Sequence, residues 1–214
     1  MIRRARPKPT GTRLGGEGYT PGMVATRYPV DSSLQAPLTV EKYHRMIDAG
    51  ILGPDDRVEL LEGVLVEMSP QSHRHAKFIS RFNAAVARII DPAYRVRIQL
   101  PLTLPPYGEP EPDIAIVTQE EDEAPDRHPQ TALLVVEVAS ESIRKDRTVK
   151  TRVYARAGIP EYWIADLDNL CVEIYSDPDT SAERYRSQVV VQRGSQVAPQ
   201  AFPALRLALD PLFA

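Results

Sequence analysis

The chain has 214 residues, 43% hydrophobic and 26% charged, which is long enough for one α/β domain with a full core and ordinary for a soluble globule. No apolar stretch approaches the ~20 residues of a membrane span, and the opening MIRRARPKPTG lacks a secretory apolar segment, so a cytoplasmic protein with no membrane partner is expected. A net charge of −3 excludes a strongly basic DNA-coating protein, and the lone Cys171, in an apolar run that marks it as a core residue, excludes a disulfide framework and a multi-cysteine zinc site.

Residues 1–37 are rich in proline, glycine and basic side chains without apolar periodicity, and read as a flexible basic arm preceding a domain over 38–214. LTVEKYHRMIDAG predicts a short helix capped by Thr39 and ended by Gly50, with Tyr43, Met46 and Ile47 on one side. RVELLEGVLVEMSP predicts a hairpin turning at Glu62-Gly63. From Ser72, a candidate N-cap, to about Ile90 the spacing of Phe78, Phe82, Ala85, Val86 and Ile89 predicts a long helix.

Strands are expected at about 94–104 and 112–117, then at 132–140, where ALLVVEVAS is apolar on both faces and suits a central, doubly covered strand. A basic helix at about 143–157 ends near Gly158-Ile159-Pro160, and EYWIAD and LCVEIYS form a strand pair about Asp168-Asn169, with Tyr162 and Trp163 in the core. Outer strands are expected at 183–192 and 204–208. The order predicts an α/β or α+β fold, a sheet with helices packed on its faces.

Glu137 interrupts the most apolar strand. A buried carboxylate left alone costs several kcal/mol or takes up a proton, so a metal, a cation or a ring of donors belongs beside it; one of the many arginines is the plainer candidate. Asp113 opens another apolar strand and would repel Glu137 if the two strands were neighbours, unless a hard divalent cation such as magnesium held both; alone it reads equally as a turn aspartate after Pro112. Lys150 borders the apolar stripe Val149, Val153 and Ala157 of the basic helix, where it either turns its ammonium inward or joins a solvated basic face. His75, near the start of the long helix, is placed to contact a phosphate or a carboxylate, and Gln99 to orient a ligand or to lie exposed on its strand. His73 and His75 are two apart on a helix and do not share a face for zinc. Walker, dinucleotide-binding and serine-elbow motifs are absent from the sequence.

The stretches ELLEGVLVEMSP with the following His75, PEPDIAIV, LLVVEVASES, DRTVK with Tyr154, and AGIPEYWIAD occur in that order over roughly residues 38–176. Together they resemble the Uma-two family of restriction endonucleases within the PD-(D/E)XK nuclease superfamily. The resemblance implies a restriction-endonuclease-like mixed sheet flanked by helices, with Asp113 and Glu137 as metal-holding acids. The motif lysine position, two after the acid, is Ala139 here, and the resemblance implies that Lys150 supplies the amine from the next helix. Glu62 matches a glutamate of the family's first stretch, as a third acidic ligand or water-holder, or is simply a charged hairpin tip.

The expected function is a Mg2+- or Mn2+-dependent endodeoxyribonuclease that hydrolyses DNA phosphodiesters with activated water, acting as a homodimer if it cuts both strands. The rival is a catalytically silent nucleic-acid-binding or interaction module that retains the fold. The basic arm and the 143–157 helix would add phosphate contacts, and the acidic run at 120–126 must lie away from the DNA cleft.

Overall fold

A computed structural model describes residues 36–140 and 142–214, so the expected arm over 1–37 lies outside the described residues apart from Ala36 and Pro37. Helix α1 (Val40–Asp48) begins at Thr39, whose side chain accepts the Lys42 N–H as a cap, and buries Val40 and Tyr43. The hairpin of β1 (Val58–Leu61) and β2 (Val64–Glu67) turns through Glu62 and Gly63 at φ 51° and 76°, a left-handed pair that matches strand twist. Only glycine fits the second position, because a Cβ there would come within 2.5 Å of Pro37.

Helix α2 (His73–Val86) is capped by Ser72 and buries Phe78, Ile79, Phe82 and Val86. It ends four residues before the expected Ile90, and Ile89 is exposed beyond it, as the chain turns toward Asp91-Pro92. Strand β3 (Tyr94–Ile98) stops short of the expected residue 104, because Gln99 takes φ 51° and Pro101 follows. Strand β4 (Ile114–Thr118) runs into the short α3 (Gln119–Asp122), and β5 (Leu134–Ala139) is buried along its whole length.

The next helical segment is composite. It consists of α4 (Ile143–Lys145), a π-helical turn over Asp146–Lys150, and α5 (Thr151–Arg156). Strands β6 (Glu161–Asp166), β7 (Cys171–Asp179) and β8 (Arg184–Gln192) follow, and a small pair, β9 (Gln196–Val197) with β10 (Leu207–Ala208), precedes α6 (Leu209–Phe213). The expected strand at 204–208 is thus only two residues long, and α3, β9 and α6 have too few residues to carry a readable period.

The main sheet has the order β3-β4-β5-β6-β7-β8, antiparallel throughout except for the parallel β5–β6 pair. That parallel pair requires a crossover, and the composite helix supplies it. Alternation along β5 assigns the two faces. Leu134, Val136 and Val138 pack with Phe78, Phe82 and Trp163 on the α2 side, whereas Val135 and Ala139 pack with Val153, Tyr154 and Tyr162 on the crossover side. Glu137 shares the parity of the second set, so its carboxylate is delivered to the crossover helix. No described helix is long and apolar enough to cross a membrane.

Candidate active site

Ile114 pairs with Val136 across β4 and β5, and one step further along this antiparallel register Asp113 lies opposite Glu137. The sheet therefore brings the two expected carboxylates together. Asp113 Oδ2 accepts the Val138 N–H at 2.8 Å and His75 Nε2 at 2.9 Å, and Asp113 Oδ1 accepts from Gln99 Nε2 at 3.2 Å. His75 and Gln99 thus both meet this acid, one from the first turn of α2 and the other from the left-handed residue that ends β3.

Glu137 Oε1 accepts from Lys150 Nζ at 2.8 Å and from Tyr154 Oη at 2.7 Å. Lys150 points inward from the π-turn with only 4% of its surface exposed. Its ammonium also lies 3.2 Å from Glu59 Oε2, while Glu59 Oε1 accepts from Lys145 Nζ at 2.8 Å. The π-turn is held by the Asp146 carbonyl, which accepts from Thr151 N, Thr151 Oγ1 and Tyr162 Oη. Such widened turns recur where a helix must aim a side chain at a functional site.

His75, Gln99, Asp113, Glu137, Lys145 and Lys150 line a cavity of about 380 Å³. Its walls carry five carboxylates, from Glu59, Glu111, Asp113, Glu137 and Asp146, against three fixed cations, Arg57, Lys145 and Lys150. The imbalance shows in the ionisation of the groups. Burial, opposed by Lys150 and reinforced by Asp113, Asp146 and Glu59, pushes Glu137 up to about 8, and burial also raises Asp146 and Glu111. Burial works against the charge on Lys150, but the surrounding carboxylates of Glu137, Glu59 and Asp146 prevail and hold it an ammonium. Burial likewise raises Glu59, yet Lys150 and Lys145 outweigh it and keep this acid ionised.

Glu62 does not join the cavity, which corrects its expected place in the site. At the hairpin tip it receives two hydrogen bonds from Arg152, at 2.6 and 3.1 Å, and pairs with Arg156 at 3.7 Å. The acid that β1 contributes is Glu59, three residues earlier on the buried face of the strand. A buried acid within the apolar VELL carries the same signal that exposed Glu137, so Glu59 was findable by that rule. Asp146 was findable only as the residue four before Lys150 on one helix.

Nor, among the described residues, is most of the basic face of the 143–157 helix free, although Arg144 is exposed. Lys145, Arg147, Lys150, Arg152 and Arg156 are each paired with carboxylates of the same chain. The acidic run begins after β4 ends, at the opposite end of that strand from Asp113, and pairs with Arg95, Arg97 and Arg127.

Residues 40–210 match the family model Uma2, described as "Putative restriction endonuclease". The chain belongs to the Uma2 family. A solved structure described as "a putative nuclease belonging to DUF820 from Anabaena variabilis" superposes with a TM-score of 0.66 at 17% identity, covering 83% of this chain and 98% of that one. At that identity the match shows the fold, a nuclease-type mixed sheet flanked by helices. No curated protein matches the chain. Uma2 membership and fold together support a nuclease.

Among the described residues, no group of three or more histidine, cysteine or acidic side chains converges as a ready metal cage. Magnesium does not need one. It is commonly held by one or two carboxylates, with water and substrate phosphate completing its shell. The surplus of acid in the cavity, and Asp146 Oδ1 buried without a hydrogen-bond partner, fit a site that takes a hard cation.

Proposed function

We propose that this Uma2 protein is a magnesium- or manganese-dependent endodeoxyribonuclease that hydrolyses phosphodiester bonds in the cavity between β4, β5 and the crossover helix. The observation that carries the reading is the meeting of Lys150 with Glu137, across from Asp113. An amine from the helix occupies the acid's surroundings although the position two after it is Ala139.

Asp113 and Glu137 would hold the cation, which supplies charge neutralisation and a more acidic bound water. Lys150 acts as a donor and fixed charge rather than as a base, because its neighbours keep it protonated. Of its three N–H bonds, two serve Glu137 and Glu59, which leaves one for the attacking water or a phosphate oxygen. Negative charge gathers on the phosphoryl oxygens as water adds to phosphorus, so a preorganised ammonium lowers the barrier. His75 and Gln99 fix the Asp113 carboxylate, and Tyr154 fixes that of Glu137.

Calorimetric titration with Mg2+ and Mn2+ tests the site. Wild type is expected to bind, with Asp113→Asn and Glu137→Gln each abolishing the heat. Equal binding by all three proteins would remove these residues as ligands, and no binding by wild type would favour a silent module with the nuclease fold.

A further inference from the structure

Helix α2 adjoins the cavity at its N-terminus, where His75 reaches Asp113, and its outer face is basic. His73, Lys77 and Arg81 recur at four-residue spacing with Arg74 beside them, and His73, Arg74 and Lys77 are exposed. All four line a second, smaller depression that shares Leu167 with the first. The two depressions therefore adjoin at Leu167.

The charge on this face differs in kind from that of the crossover helix. Among the described residues, the one carboxylate paired with the stripe is the exposed Asp168, 3.0 Å from Arg74. Arg74 also donates to the Leu167 carbonyl and Arg81 to a main-chain oxygen of Ala214, so both guanidinium groups are steadied by backbone acceptors. By contrast, five basic side chains of the crossover helix are paired with carboxylates.

From these observations the geometry points to the α2 stripe as a track for the DNA backbone that leads away from the cleavage site, so that the substrate is a duplex several nucleotides long. This inference rests on the nuclease reading of the cavity. Nine residues of helix from His73 to Arg81 span about 12 Å, long enough to meet more than one phosphate of a strand whose charges repeat every ~3.4 Å of duplex axis. A mononucleotide or small phosphodiester would fill the cavity alone and never reach Lys77.

The test compares wild type with the double variant Lys77→Ala/Arg81→Ala by fluorescence anisotropy on a labelled 30-base-pair duplex across a salt series, in EDTA. In parallel, hydrolysis of bis(p-nitrophenyl) phosphate is followed with Mg2+ or Mn2+. Loss of two phosphate contacts is expected to make the log–log salt slope shallower by about 2 and to weaken binding roughly tenfold or more at low salt. Hydrolysis of the small ester should stay at the wild-type rate.

Wild-type slope and affinity in the double variant would overturn the track while leaving the nuclease reading intact if the ester is still cleaved. Tighter binding of single-stranded RNA of equal length would overturn the duplex assignment. A wild type that neither binds the duplex nor cleaves the ester would overturn both readings together.

Discussion

Lys150 Nζ sits 2.8 Å from Glu137 Oε1, joining the π-turn of the crossover helix to a fully buried strand of the sheet. Both residues are about 4% exposed, so the pair is shielded from the solvent that weakens surface ion pairs. Replacing Lys150 with Met takes one of two cations from the buried, ionised Glu59 and a donor from Glu137. A buried polar group left short of its partner costs ~1–3 kcal/mol, and loss of a charge-stabilising donor lowers kcat by about 100-fold or more. Denaturant titration and DNA cleavage rates check the two effects separately, and an active, stable Lys150→Met protein would contradict both.

Glu59 holds the Lys150 ammonium at 3.2 Å, and on the proposed mechanism it is a positioning residue. Glu59→Gln is expected to lower kcat by about 10-fold with little change in KM, as typical for groups that hold a site residue in place. Tyr154→Phe should act in the same way through Glu137, since it removes the 2.7 Å hydrogen bond and nothing else. A rise in KM without loss of kcat, in steady-state cleavage of a labelled duplex, would instead place these groups in substrate binding.

Glu137 gives a pH signature in the metal-free protein. Its carboxyl has an ordinary value of 4.5 and is raised to about 8 in the fold, chiefly by burial. Between those values the folded chain keeps a proton that the unfolded chain has released, so the group's contribution is fully present below about pH 4.5 and is lost as pH rises through 8. Glu137→Gln cannot ionise, and Lys150 keeps Glu59 as a partner in that variant. The melting temperature of Glu137→Gln relative to wild type, measured in EDTA, is therefore expected to climb from pH 5 to pH 8. A constant difference would show that Glu137 ionises normally.

Glu62 supplies the contrast. Its arginine partners are partly exposed, Arg152 at 46% and Arg156 at 29%, so Glu62→Ala should change stability by no more than ~1 kcal/mol and leave cleavage within about twofold of wild type. A 100-fold loss of activity would return Glu62 to the site from which the geometry removes it.

The sequence already revealed what depends on short-range pattern. Alternation around Glu137, the Glu62-Gly63 turn and the capped helix after Ser72 could all be read because strand parity, turn conformation and helix capping are local properties. The meeting of Asp113 with Glu137 required the β4–β5 register, and the inward aim of Lys150 required a π-turn, neither of which leaves a periodic mark. Arginines are a similar case. In the sequence the 143–157 helix looks like a solvated basic face, but its partners Glu59, Glu62, Asp166 and Glu173 come from distant strands and a hairpin turn. Among the described residues the less heavily paired basic face lies instead on α2, where the same sequence signal was weaker because apolar residues intervene.

Nicking of supercoiled plasmid with Mg2+ or Mn2+, by wild type and by Asp113→Asn, Glu137→Gln and Lys150→Met, tests the central claim most directly. Metal-dependent nicking by wild type, lost in all three variants at protein concentrations where each is folded by circular dichroism, is the result predicted. Nicking that survives in Lys150→Met, or that proceeds equally in EDTA, would contradict a hydrolytic centre built on this lysine and these two acids.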